Sequence, residues 1–214
     1  MLKTFKNLPE KKQNAILNAA ARVFATKGYY RANVADICKR ARISNGALYK
    51  YFKNKEAVYV SVLDRVVELF ARVEQTHSDI TKSVFVVLYD ILQEAKVRAK
   101  TDADYIVAYL DLGSPSMSKF APYLSDRIED PSREFWANLI EEGKRRDEID
   151  KNIDTDMAAY SIDNHVMLFM FAGVSPHYQR RFNSYFGRGR RKLTKDEEIE
   201  IIIESLRRLL ARRK

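Results

Sequence analysis

Apolar residues recur at intervals of three and four along most of this chain, from Ile16, Ala19, Ala20, Val23 and Phe24 near one end to Ile199, Ile202, Ile203, Leu206 and Leu210 near the other. That period marks helices buried along one face, and no stretch alternates β-branched with polar residues as a half-exposed strand would. Helix breakers are scarce: 7 glycines and 5 prolines in 214 residues. The chain is therefore expected to be all-α. With 46% hydrophobic residues it can bury a sizeable core without covalent staples, and its single cysteine, Cys38, excludes an internal disulfide framework. The N-terminal MLKTFKNLPEKKQ lacks the apolar centre of a signal peptide, and the run Val166–Val174 is too short to cross a bilayer. A soluble, cytoplasmic protein with no membrane partner is expected.

Punctuating residues divide the pattern into elements. A first helix runs from Lys11 until Gly28 ends it in a left-handed conformation. Asn33 caps a second, with Val34, Ile37 and Cys38 facing inward and Cys38 acting as a small core residue. Ser44 caps a third, and Asn54 a fourth that carries Val58, Val62, Leu63, Val66, Leu69, Phe70 and Val73. Helices follow near 81–100, 102–112, 119–127 and 131–146, the last opened by Asp130 as cap and Pro131 at the first helical position. A long segment starts near Asp154 and is bent or interrupted at Pro176. Beyond a flexible link at 187–192, Thr194 and Glu197 form a capping box for the terminal helix.

The charge is distributed unevenly. Residues 1–60 hold 13 Lys/Arg against 3 Asp/Glu, residues 61–175 hold 13 against 21, and residues 176–214 hold 12 against 5. A basic head attracts a polyanion by counterion release, whereas the acidic middle repels it. The basic tail reads as solvated helix ends. Within the head, two short helices at about 33–41 and 45–52 joined by roughly three residues have the dimensions of a helix-turn-helix. In the second, Ala47, Leu48 and Phe52 face inward, leaving Ser44, Asn45, Gly46, Tyr49, Lys50 and Tyr51 outward. Gly46 costs a helix about 1 kcal/mol against alanine, a cost that makes sense if backbone must approach a groove floor. Tyrosine hydroxyls suit phosphate oxygens, and Lys55 at a helix N-terminus adds its charge to unpaired N–H groups that favour an anion.

The segment Lys11–Leu63, especially AILNAAARVFATKGY at 15–29 with VADI at 34–37 and LYKYFKNKE at 48–56, resembles the DNA-binding domain of TetR-family transcriptional regulators. The resemblance implies an N-terminal three-helix reading head at 1–54 and a helical domain for dimerisation and ligand binding at 55–214. It implies a homodimer, a double-stranded DNA operator and a small-molecule effector as partners. On the family's pattern Ser44, Asn45, Gly46 and Lys50 face bases or sugar, while Tyr49, Tyr51 and Lys55 grip phosphates. Asn33 replaces the family's usual threonine cap. Arg42 stands where the turn usually has glycine, so either the turn differs or Arg42 adds a phosphate contact. A two-fold pair spaces its reading helices one or more DNA turns apart, about 34–36 Å or a multiple, and calls for a near-palindromic operator.

Past residue 65 only physics guides the reading. Tyr105, Tyr109, Trp136, Tyr160, Asn164, His165 and Phe169 combine apolar bodies with polar tips or neighbours, as a pocket for an apolar or aromatic effector would. The acidic balance nearby, with Asp102, Asp104, Asp111 and Asp163, favours a neutral or cationic compound. On the terminal helix Ile199, Ile203, Leu206 and Leu210 form a stripe expected at the dimer interface. His77, His165 and His177 lack metal-ligand spacing, and no phosphate loop or nucleophile elbow occurs, so no metal, cofactor or catalysis is expected. The reading is a regulator, most simply a repressor released by its effector; an effector-independent DNA-binding protein is the alternative.

Overall fold

The computed structural model describes residues 2–187 and 192–211, so most of the 187–192 link and Arg212, Arg213 and Lys214 of the basic tail lie outside the described residues. The helices are α1 (Lys3–Lys6), α2 (Glu10–Arg31), α3 (Val34–Ala41), α4 (Asn45–Tyr51), α5 (Lys55–Thr76), α6 (Val84–Thr101), α7 (Ala103–Leu110), α8 (Ala121–Leu124), α9 (Asp130–Arg145), α10 (Thr155–Val174), α11 (Pro176–Phe186) and α12 (Lys195–Leu210). They fall into two compact units, one of residues 1–69 with 104–122, the other of 70–103 with 123–214. The chain is all-α, as expected; among the described residues the one β-type contact is an isolated bridge between Ile149 and Ala211.

In the first unit Ile16, Ala20, Phe24, Ile37, Leu48, Phe52, Val58, Val62 and Leu63 are buried, and Cys38 sits among them as a core residue with its thiol pKa raised by burial. Gly28 breaks α2 with a positive φ of 70° but ψ of 161°, extended rather than the expected left-handed helical conformation. The segment 104–122 belongs to this unit because an aromatic cluster holds it there. Tyr59 packs 4.9 Å from Phe24 and 4.8 Å from Phe120, ring centre to ring centre, and its hydroxyl donates to the Ala108 carbonyl at 3.2 Å. Burial, aided by the Asp111 charge, raises the Tyr59 phenol pKa well above its ordinary value.

The second unit packs α10 against α6, α9, α11 and α12. Its core includes Leu88, Leu92, Trp136, Leu139, Ile140, Ile162, Phe169, Ile199, Leu206 and Leu210. At Gly173 a Cβ would lie 2.4 Å from that of Ala99, so the α6–α10 approach requires glycine there. Thr194 and Glu197 form the expected capping box, and Asp154 caps α10 through the Met157 N–H at 2.8 Å. Asp130 does not cap α9, because a π-turn at Ser125–Glu129 already delivers the chain in helical conformation. The terminal-helix stripe also needs correction: Ile199, Leu206 and Leu210 are buried in the core of the chain itself and Ile203 packs partly buried against the same core, so this face is consumed within the chain.

One buried group works against the second unit. Asp163 is pushed up to about 6, first by burial, with the Trp136 indole N–H at 3.2 Å opposing the shift and Glu129 and Glu74 adding to it. An aspartate of ordinary pKa near 3.9 when unfolded therefore prefers to be protonated in the fold. The stabilisation is complete below about pH 4 and is lost as pH rises through 6. Asp163→Asn keeps an acceptor for Trp136 and removes the charge. It should stabilise the protein by about 1–3 kcal/mol near pH 7.5 and by almost nothing near pH 4 in urea melts, since each shifted unit is worth about 1.4 kcal/mol. An equal response at both values would show that Asp163 ionises freely.

Candidate nucleic-acid interface and effector cavity

A seven-residue helix is too short to persist alone, so α4 exists by virtue of what holds its ends and inner face. Ser44 caps it, its hydroxyl oxygen accepting from the Ala47 N–H at 3.1 Å. Leu48 and Phe52 are buried, and Phe52 packs 4.7 Å from Phe5 of α1. Sequence reasoning missed α1, because one apolar residue among KTFK has no period to detect. Phe5 is fully buried and also meets Tyr51 edge-on at 5.9 Å. The Leu2 N–H donates to the Tyr51 carbonyl at 3.0 Å, and the Thr4 hydroxyl to the Lys50 carbonyl, so α1 clasps the C-terminal end of α4 and brings exposed Lys3 and Lys6 into the head.

The turn before α4 keeps its left-handed residue. Arg42 has φ 56° and ψ 45°, its N–H returning to the Lys39 carbonyl and that of Ile43 to Cys38. Of the two alternatives left open by the sequence, the backbone thus retains the turn despite the missing glycine, at about 1–2 kcal/mol, and leaves the Arg42 side chain exposed. Asn33 caps α3 as expected, accepting from the Ala35 N–H at 2.9 Å. Asn45, Gly46, Tyr49 and Lys50 are exposed, Tyr49 by 53%, while Tyr51 is half-buried against Phe5. Around Gly46 the nearest atom to an added Cβ is the Ser44 Oγ at 4.0 Å, so nothing within the chain requires glycine there.

Lys55 is engaged internally. Its ammonium donates to the carbonyls of Tyr29, Tyr30 and Ala32 at 2.9, 3.2 and 3.2 Å and lies 4.7 Å over the Tyr29 ring. It closes the corner between α2 and α3, and the three acceptors occupy the donors that a phosphate would use.

The seven expected effector residues are dispersed. Tyr105 and Tyr109 belong to the first unit, where the Tyr105 hydroxyl donates to Asn18 at 2.7 Å and Tyr109 is buried. In the second unit Trp136 is buried against Asp163, Tyr160 is 69% exposed, and Asn164 donates to the Tyr160 carbonyl at 2.7 Å. His165 and Phe169 do come together, lining a cavity of about 240 Å³ formed by α10, α11 and α12. Their partners there, Tyr178, Arg181, Phe182 and Tyr185 among them, were missed because α11 looks like a polar continuation of α10 in sequence. Among the described residues no group of histidine, cysteine and acidic side chains has the arrangement of a metal site, and no helix is long and apolar enough to cross a membrane.

This is the architecture of a helix-turn-helix protein with a helical C-terminal domain. The sequence profile described as "Bacterial regulatory proteins, tetR family" matches residues 16–62. An uncharacterized HTH-type transcriptional regulator, YuxN of Bacillus subtilis, is 30% identical over 138 residues, 61% of this chain and 45% of that protein, so the match spans less than half the relative's length. Among solved structures, the fatty acid degradation regulator FadR from Bacillus halodurans superposes with a TM-score of 0.72 at 19% identity, covering 94% of this chain and 97% of that one. FadR from Bacillus subtilis, solved with stearoyl-CoA, gives 0.66 at 19% identity, covering 90% and 96%. Residues 16–62 thus match the DNA-binding domain of the TetR family, and the fold of the chain is similar to that of the two FadR structures.

Two substitutions separate structural from binding roles in the head. Gly46→Ala should stabilise it by about 0.5–1 kcal/mol, since alanine is the better helix former and has room, while weakening duplex DNA binding; paired urea melts and binding titrations check this, and unchanged binding would make Gly46 a plain surface residue. Lys55→Met should destabilise the head by about 1–3 kcal/mol, the usual worth of hydrogen bonds from a charged donor, measured by urea unfolding; a neutral result would release Lys55 for other duties.

Proposed function

We propose that the protein is a homodimeric, DNA-binding transcriptional regulator whose operator affinity is changed by a small molecule. The observation that carries the reading is α4 itself. This short helix is fixed at both ends and along its buried face, and it presents Asn45, Gly46, Tyr49 and Lys50 outward from the most basic third of the chain. We assign DNA reading to residues 1–54, and dimerisation and effector binding to 55–214. Asn45 and Lys50 read base edges, and Gly46 permits close approach. Tyr49, Tyr51, Arg42, Lys3 and Lys6 contact phosphates, with Ser44 and Asn33 placing helix ends against the backbone. Lys55 contributes by fixing the α2–α3 corner on which that placement rests.

For the second copy we assign the exposed apolar side chains of α10, Met157 and Tyr160, together with Leu209 of α12. They lie at helical spacing on surface that a lone subunit leaves wet, as an interface does. The effector is assigned to the cavity of His165 and Phe169. It acts by binding one form of the dimer better than another, because a ligand shifts an equilibrium only by its differential affinity. Release from the operator, hence repression, is the simplest outcome.

Selecting bound duplexes from a random pool tests the whole. The expected product is an inverted repeat whose half-site centres lie about 34–36 Å apart or a multiple of it. Enrichment of no sequence, or of a single half-site by a monomer, would overturn the reading.

A further inference from the structure

Resting on the reading of the α10–α11–α12 cavity as the effector site, we infer that this cavity takes a small organic anion: an aromatic or aliphatic body carrying one acid group held at Arg181. The walls set the body. Leu168, Phe169, Phe182, Phe186 and Ile202 line a partly open cavity of about 240 Å³, the size of a one- or two-ring molecule rather than a water or an ion. The charge sets the head group. Arg181 lines the cavity. Among the described residues its guanidinium makes no ion pair, and it stands 5.5 Å from the centre of the Tyr185 ring.

Among the described residues no carboxylate pairs with it. Glu198, fully buried at the start of α12, already accepts from Gln179 at 2.6 Å and Lys195 at 2.7 Å, and that Lys195 ammonium sits 5.0 Å over the Phe169 ring. The cavity is thus flanked by one cation whose acid is present and one whose acid is missing. His165 adds a second polar group. Its Nδ1 lies 2.6 Å from the Ser161 carbonyl, which only accepts, so Nδ1 carries the proton and Nε2 remains as the ring's second polar atom. A cationic effector would meet Arg181 unfavourably, so the structure reverses the preference that the surrounding acidic composition suggested. Arg181 is itself exposed, so its part is geometric: a guanidinium grips a carboxylate or sulfonate with paired N–H donors while the apolar wall beside it holds the ligand's body.

Two fluorescent probes differing only in the acid group test this on the full-length protein: anilinonaphthalene sulfonate and its neutral parent, phenylnaphthylamine. One sulfonate probe per chain should bind at least about tenfold more tightly than the neutral one, a step typical of a charge-assisted pair. Arg181→Gln should bring the two to equal affinity, and Ser205→Trp, which fills the cavity, should remove both. Equal binding of the two probes by the unaltered protein, or indifference to Arg181→Gln, overturns the anion inference and leaves the cavity as an effector site. Failure of both probes to bind, or binding untouched by Ser205→Trp, overturns the cavity assignment as well. Probe binding that vanishes as the protein self-associates would show that a second copy covers this face, and would overturn it too. DNA selection is scored separately and is unaffected by any of these results.

Discussion

The placement of α4 depends on a small apolar contact, Phe52 against Phe5 with Leu48 buried beside it, and on the packing of α4 against α1 and α3. Seven residues cannot sustain a helix by their own hydrogen bonds. What fixes this one is burial of two large side chains, a serine cap at one end and the clasp of α1 at the other. Burying side chains of that size is worth about 1.5–3 kcal/mol each. The outward residues of α4 owe their direction to those inward ones. A change at Phe5 would therefore disturb the placement of α4 without touching any outward residue.

The same economy governs the segment 104–122. Its short helical turns have little regular structure to support them, and Tyr59, Phe120 and Tyr29 hold them against α2 and α5 through ring contacts near 5 Å. Lys119 extends the contact with an ion pair to Glu56 at 2.6 Å. Exposed pairs of this kind contribute little energy, so the aromatic cluster does most of the holding and the ion pair fixes direction.

The head was legible in the sequence because its determinants are local: Asn33, Ser44 and Asn54 cap the helices they precede, and the caps announce the lengths and spacing of α3 and α4. Thr194 and Glu197 announced α12 in the same way. The cavity of α10, α11 and α12 was not legible, because helical spacing says that a residue faces inward without saying toward what. Tyr105 and Trp136 have the same pattern of apolar neighbours, yet they belong to different compact units. Ile199, Leu206 and Leu210 failed as interface residues for the related reason that a broad apolar face on the last helix fits its own core as readily as a partner. Phe5 failed for lack of length. In each case the missing information was the identity of the neighbour, a property of the assembled chain.

Arg42 and Gly46 show where the sequence answers to something other than stability. A non-glycine residue in a left-handed turn costs about 1–2 kcal/mol, and a glycine inside a helix about 1 kcal/mol. The two lie four positions apart and both are exposed, and exchanging their residue types would relieve both costs. Together they take roughly 2–3 kcal/mol from a domain whose whole stability is typically 5–15. Neither cost is recovered within the chain, for Arg42 is exposed and Gly46 faces open space. Local conflicts without internal compensation are expected where a partner supplies the missing interaction. On the reading proposed above that partner is a duplex, whose phosphates would reward the guanidinium and whose groove floor would reward the absent side chain.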